Sequence, residues 1–183
     1  MPRMKCILVP LLAGTLMVGA VGCGGDSREY AVPKELCGTK VDSDLLAPLL
    51  PAGEKMKMRK STRDIGETCS ISVVPGEDRG YVPALDIKRD SVTEGNDPLK
   101  AIRWRLNAFG NPKKVDIGDD ARLGDKGALV ALSCPPKGKD TTLALEVDLS
   151  TPTPKDASER RKALERFLRS YLPTAAKAHG CRV

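Results

Sequence analysis

The chain of 183 residues has few aromatic side chains and a single histidine, His179. One tryptophan, three tyrosines and two phenylalanines are spread along it. Proteins that bind single-stranded nucleic acid stack bases on aromatic rings in basic grooves, so this composition does not favour a nucleic-acid partner. Zinc sites need closely spaced cysteine and histidine ligands, and the sequence has no C-x-x-C pair. We therefore expect no nucleic acid and no metal.

The sequence also lacks the short motifs that accompany common catalytic machinery. It contains no G-x-S-x-G, S-x-x-K, H-E-x-x-H or phosphate-binding loop pattern. Its histidine has no serine or cysteine nucleophile in a recognisable local context. Because catalysis needs positioned acids, bases or nucleophiles, we expect that the chain is not an enzyme and uses no cofactor.

No apolar run has the length of a typical membrane-spanning helix. The apolar stretch at 7–18 follows Arg3 and Lys5, and even when extended to 21 it is shorter than the ~20 residues that span a bilayer. A basic start, an apolar core and small residues at 20–22 have the order of a secretory signal. Removal of residues 1–22 leaves 161 residues and, without Arg3 and Lys5, lowers the formal charge from +6 to +4.

Residues 20–23, Ala-Val-Gly-Cys, suggest how the signal is removed. They resemble the lipobox of bacterial lipoproteins, in which an aliphatic and two small residues precede an obligatory cysteine. The resemblance implies a diacylglyceryl group on the Cys23 sulfur and cleavage just before it, although Ala20 stands where the family usually has leucine. An ordinary secretory cleavage and an uncleaved anchor are the alternatives. Residues 23–36 are polar and are predicted to form a flexible tether.

Four cysteines remain after the signal and Cys23 are set aside, and an even number in an exported chain indicates disulfides. Four cysteines allow three pairings. We favour the local one, Cys37 with Cys69 and Cys134 with Cys181, because each pair flanks a predicted αβ unit. In the chain-entropy description, each loop of this length contributes roughly 3–4 kcal/mol.

Apolar periodicity predicts a mixture of helices and antiparallel strands, which is the α+β fold class. Helices are predicted at 43–50, from 96 to 109 and from Asp156 onward. Strands are predicted at 69–74, 81–88, 127–134 and 141–149. We expect an antiparallel sheet covered by helices and stapled by disulfides, in one extracytoplasmic domain at 37–183.

Two hairpin segments resemble each other at a shift of sixty residues. Residues 75–87 read PGEDRGYVPALDI and residues 135–147 read PPKGKDTTLALEV. Both contain proline, a polar turn, and then Ala-Leu followed by an acid and a β-branched residue. This pattern suggests two diverged helix–hairpin units; the alternative is that polar hairpins generally look alike.

The segment KMKMRK at 55–60 alternates charge with methionine. As a strand it places Lys55, Lys57 and Arg59 on one face and Met56 and Met58 on the other. The basic face is a candidate contact for an anionic surface, either lipid head groups or a wall polymer. The structural interpretation is an edge strand that charge protects from aggregation, with its methionines in the core.

The segment DIGDDARLGDKG at 116–127 concentrates aspartates among glycines. Calcium loops use oxygen ligands at alternating positions and a closing glutamate, and this spacing does not match them. We expect a solvated loop that leads into a strand.

Taken together, these segments resemble the small secreted lipoproteins of unknown function found in actinobacteria. The shared features are the lipobox, ELCGTKVDSDLLAPLLPAG at 35–53, two cysteine-bearing strands, the GDDA loop and a terminal HGC. The resemblance covers the mature chain and implies its location, an α+β fold and disulfides. It implies no activity.

The sequence therefore predicts a non-catalytic binding domain, anchored through lipid on Cys23 to the outer face of the cytoplasmic membrane. The expected partner is an envelope protein, a wall polymer or a small ligand. The alternative is a carrier that holds a small apolar ligand in a cavity between sheet and helices.

Overall fold

The computed structural model describes residues 28–64, 66–76, 79–92, 103–134 and 141–181. The signal segment, Cys23, the predicted helix start at 96–98 and the predicted turn at 135–140 lie outside these ranges. The described residues contain both helices and strands, as the α+β prediction requires.

A seven-stranded antiparallel sheet is the dominant element. The described strands are β1 (Glu35–Leu36), β2 (Thr39–Lys40), β3 (Lys55–Arg63), β4 (Gly66–Val74), β5 (Val82–Val92), β6 (Lys113–Val115), β7 (Asp120–Leu123), β8 (Gly127–Ser133) and β9 (Thr142–Asp148). The described α-helices are α1 (Ser43–Leu46), which a 3₁₀ turn over Ala47–Leu49 continues, α2 (Arg103–Ala108) and α3 (Ala157–His179).

The large sheet has the strand order β3–β4–β5–β9–β8–β7–β6, and every neighbouring pair is antiparallel. Two meanders, β3–β5 and β6–β9, meet at the centre, where Ile87 of β5 lies opposite Val147 of β9. The edges of the sheet are therefore β3 and β6. Strands β1 and β2 form a separate hairpin.

Helix α3 packs against one face of the sheet. Asp156 caps it by accepting a hydrogen bond from the backbone N–H of Glu159 at 2.8 Å. The apolar stripe that includes Phe167 and Tyr171 is fully buried against strand residues such as Ile71 and Leu145. In the described residues, no helix combines the length and the apolar character needed to cross a bilayer.

The opposite face of the sheet is covered only in part. Leu106 and Phe109, at the end of α2, pack on Leu129 and Ala144. Along β3 the side chains on that face are exposed to solvent. The sheet therefore dominates this α+β fold, and the described helices do not form the complete cover that the sequence suggests.

The folded part begins before residue 37, within the segment predicted as a tether. Tyr30 and Val32 pack against the core and Leu36 is fully buried. The Arg28 guanidinium donates to the carbonyl of Ala47 at 2.8 Å and to that of Leu50 at 2.6 Å. The apolar residues scattered between polar ones at 30–36 thus hold this segment on the domain.

The segment at 116–127 is not entirely a loop, which corrects the sequence prediction. It contains strand β7, in which Ala121 and Leu123 are buried, whereas Asp120 and Arg122, which alternate with them, are only partly buried. This alternation is the pattern of a half-buried strand, but it is short and surrounded by glycine and aspartate.

Candidate functional site

Two disulfides fix the domain at well-separated points. Cys37, in the turn between β1 and β2, bonds Cys69 of β4 with a Cα–Cα distance of 5.8 Å. Cys134, just after β8, bonds Cys181, just after α3, with a Cα–Cα distance of 4.7 Å. The first bond joins two cysteines of the first half of the chain, and the second joins two cysteines of the second half. Cys23 lies outside the described residues.

The basic residues predicted at 55–59 lie together on β3. Lys55, Lys57 and Arg59 are exposed on one face, whereas Met56 and Met58 lie on the other face and pack against the core. We call Lys55, Lys57 and Arg59 the basic row. None of its members takes part in the ion pairs found among the described residues.

The surroundings of the basic row are polar and open. The Lys57 Nζ lies 4.0 Å from the centroid of the Tyr81 ring, and Tyr81 is 43% exposed. A cleft of about 300 Å³ lies beside the row, with Asp86 and Ser70 in its lining. The basic row thus presents positive charge to solvent, with Asp86 in the cleft beside it.

The face of the sheet opposite the basic row carries charged groups among its buried residues. The sequence pattern does not predict charged residues at these positions. Arg89 of β5 is 2% exposed and forms an ion pair with Glu67 of β4. The other oxygen of Glu67 pairs with Lys60. Arg89 also donates to the hydroxyl of Thr39, which connects the β1–β2 hairpin to the sheet. We call Glu67, Arg89 and Thr39 the polar clamp.

The contacts around the polar clamp shift the pKa of Glu67 and that of Tyr171. Partial burial disfavours the charged form of Glu67, but Lys60 and Arg89 outweigh it and hold the pKa of Glu67 below its usual value. Burial raises the pKa of Tyr171, against the opposing effect of Arg89. Glu67 is therefore an anion at neutral pH.

Extended alternation would have placed Glu67 and Arg89 on the core face of the sheet. The predicted strands place Ile71 and Leu85 on the core face, and two further steps of period two lead from them to Glu67 and Arg89. The register that brings these two residues opposite each other follows from the hairpin geometry, which the sequence does not give.

His179 lies in a second polar cleft at the end of α3. Its Nε2 is 2.8 Å from the hydroxyl oxygen of Ser91, at the far end of β5. The cleft has a volume of about 280 Å³, and Glu67 and Arg63 also line it. A serine beside a histidine is one part of a nucleophilic site, but acyl transfer also needs donors for the developing oxyanion.

A third cleft, of about 990 Å³, lies where the chain enters the domain. Arg28, Gly53, Arg79 and Lys155 line it together with several prolines. Arg28 forms a parallel bridge to Gly53, two residues before β3 begins. The incoming chain is thus fixed beside the start of β3.

Comparison with known proteins identifies no relative: no protein-family model, no curated protein and no solved structure matches the chain. Among the residues that the structure describes, no group of three or more histidine, cysteine, aspartate or glutamate side chains is placed to hold a metal ion. Functional inference therefore depends on the geometry of this chain alone.

Proposed function

We propose that the chain is a non-catalytic binding domain of the bacterial cell envelope, anchored by lipid on Cys23, that contacts an anionic partner through the basic row. One observation carries this proposal. Lys55, Lys57 and Arg59 project from one face of an edge strand into solvent, outside the described ion pairs. Positive charge presented in this way attracts anionic partners and accelerates their association.

The proposed location is the outer face of the cytoplasmic membrane. The lipobox-like residues at 20–23 support it, and so do the two disulfides, because such bonds persist in oxidising compartments. The five residue steps from Cys23 to Arg28 span at most ~18 Å. An anchored domain would therefore hold the start of β3 near the bilayer.

A filled core favours a partner-binding domain over a carrier of apolar ligands. The residues between the sheet and α3, including Phe167, Leu168 and Leu145, are fully buried and pack in one cluster. The described clefts instead lie at the surface and have charged residues in their linings. The carrier remains a prediction without an observation in its favour.

We also propose that the two meanders are diverged copies of one unit, whose helices together shield the sheet. The support comes from the place where the two meanders meet. Ile87 and Val147 occupy equivalent positions in the two segments that resemble each other at a shift of sixty residues. They also lie opposite each other on the central strands β5 and β9.

Lipid attachment is tested by changing the proposed attachment residue. Cells that express Cys23→Ala are expected to lose incorporation of labelled fatty acid into the protein and to lose it from the membrane fraction. Cys6→Ala is the matched control, because it removes a cysteine of the signal and leaves the attachment residue in place. Equal labelling of the Cys23→Ala and unmodified chains would contradict the anchor.

A further inference from the structure

We propose that the outer edge of β3 binds an extended acidic segment of another envelope protein, which adds to the sheet as an antiparallel strand. This inference rests on the proposed function, and it names the chemical class of the partner that the basic row contacts.

The first support is an open backbone edge. Strand β3 is nine residues long, about 30 Å, and pairs with β4 over its whole length. Among the described residues no strand pairs with its other side, since the bridge between Arg28 and Gly53 lies before its first residue. Alternate backbone N–H and C=O groups of β3 therefore face outward and can accept a further strand.

The second support is the charge along that edge. Five of the nine side chains of β3 are basic and none is acidic. Lys60 faces the core side and pairs with Glu67, whereas the other four share the open face with Ser61 between them. These four are Lys55, Lys57, Arg59 and Arg63.

The spacing of these charges matches a strand. Side chains on one face of a strand recur about every 6.6 Å, and an added strand presents its own alternate side chains at the same interval. Opposite charges that face each other across two strands stabilise their pairing. A segment with glutamate or aspartate at every second residue is thus complementary to β3 in both backbone and charge.

The sheet face next to β3 favours such a segment over a broad anionic surface. Asp86 of β5 lies on the same face as the basic row, further toward the centre of the sheet. A bilayer or a polyanionic polymer spread across this face would meet this acid. A strand added at the outer edge lies on the far side of β3 from it. An added strand also forms backbone hydrogen bonds with β3 at each alternate residue. A lipid head group or a wall polymer does not form hydrogen bonds with this regular spacing.

The test uses the full chain, purified in non-ionic detergent with both disulfides intact, and a labelled nine-residue peptide, TETETETET. Fluorescence anisotropy should show saturable binding. The same peptide N-methylated at alternate amides keeps its charges but cannot complete the strand, and we expect its affinity to fall by about tenfold or more. This arm uses unmodified protein, so its result does not depend on the folding of a variant.

Charge-reversal variants locate the binding edge. Lys57→Glu with Arg59→Glu should weaken binding of the unmethylated peptide by at least about tenfold, since two attractive cross-strand pairs become repulsive. Lys113→Glu with Lys114→Glu, on the opposite edge, should leave binding unchanged. Thermal melting by circular dichroism confirms that each variant is folded.

Several outcomes would overturn the inference. The inference fails if the peptide does not bind or if the N-methylated peptide binds with equal affinity. It also fails if the two double variants lose the same amount of affinity for the peptide. Displacement of the peptide by phosphatidylglycerol vesicles or poly(glycerol phosphate), at equal concentration of negative charge, would assign the basic row to lipid or wall polymer. That result would leave the proposed function intact. Failure of the proposed function is seen separately, as absence of lipid on Cys23.

Discussion

The two edges of the sheet differ more in length than in sign of charge. β6 has three residues, and Lys113 and Lys114 are exposed on it. β3 has nine residues, five of them basic. Short length alone protects an edge from pairing with other chains, whereas a long edge depends on its side chains. On the proposed account, the charge on β3 has two consequences: it repels copies of the same strand and admits a strand of opposite charge.

The structures behind the two edges differ as well. On the β3 side, the disulfide between Cys37 and Cys69 and the buried polar clamp tie the β1–β2 hairpin to the sheet. On the β6 side, the exposed Arg169 donates from α3 to the carbonyl of Asp116 at 2.8 Å. Removing an exposed polar contact costs little, whereas removing one partner of a buried pair or a disulfide costs more. We therefore expect the stability of the domain to depend more on the support behind β3.

The largest expected effect comes from removing the covalent support behind β3. Cys37→Ala with Cys69→Ala opens a loop with a sequence separation of 32, which should lower the free energy of unfolding by about 3–4 kcal/mol. Denaturant unfolding measures this loss. Cys134→Ala with Cys181→Ala, with a separation of 47, should cost about the same, because the entropic term grows slowly with loop length.

Removing either disulfide should lower the free energy of unfolding by a similar amount, but the two removals should affect peptide binding differently. Loss of the Cys37–Cys69 bond should weaken binding of the acidic peptide, since this bond anchors the turn beside Arg59. Loss of the Cys134–Cys181 bond, which joins the ends of β8 and α3, should not. Equal weakening by the two double variants would break the contrast between the edges.

A smaller loss is expected when the polar clamp is broken. Arg89→Met leaves the carboxylate of Glu67 and the hydroxyl of Thr39 without their buried donor, and this should cost about 1–3 kcal/mol. Arg169→Met is the matched control on the β6 side. Its pair with Glu165 is exposed, so its loss should cost at most about 1 kcal/mol. Thermal and denaturant unfolding measure the loss of stability in each variant. Equal losses would contradict the expectation that stability depends more on the structure behind β3 than on that behind β6.

The smallest effect is a change in the pH dependence of stability. The pKa of Glu67 is lowered in the folded state, so the unfolded chain binds a proton at this site at higher pH than the folded chain does. The stabilisation is complete above the unfolded pKa of about 4.3 and is lost as the pH falls through the lower folded pKa. Glu67→Gln should flatten the dependence of unfolding free energy on pH in this acidic range. If the dependence of the unfolding free energy on pH is unchanged in this variant, the charge of Glu67 does not stabilise the polar clamp.

The sequence predicts those features that local pattern determines. Alternation at 55–60 predicts β3 and its two faces, and the even number of cysteines predicts the disulfides. Local pattern does not give register, so it does not predict that Glu67 meets Arg89 or that Ser91 meets His179, which are 88 residues apart. The sequence predicts a tether as far as residue 36, which is too long, because Tyr30 and Val32 are isolated apolar residues whose packing depends on a surface built by later segments.

The most direct test of the central claim is hydrogen exchange at the two edges of the sheet, with and without the acidic peptide. An added strand bonds the outward amides of β3, and we predict that peptide TETETETET slows their exchange while amides of β6 exchange as before. Mass spectrometry of overlapping fragments resolves residues 55–63 from residues 113–115. Protection confined to residues 55–63 is the predicted result. Protection at β6, or no protection at β3 under saturating peptide, would contradict the account.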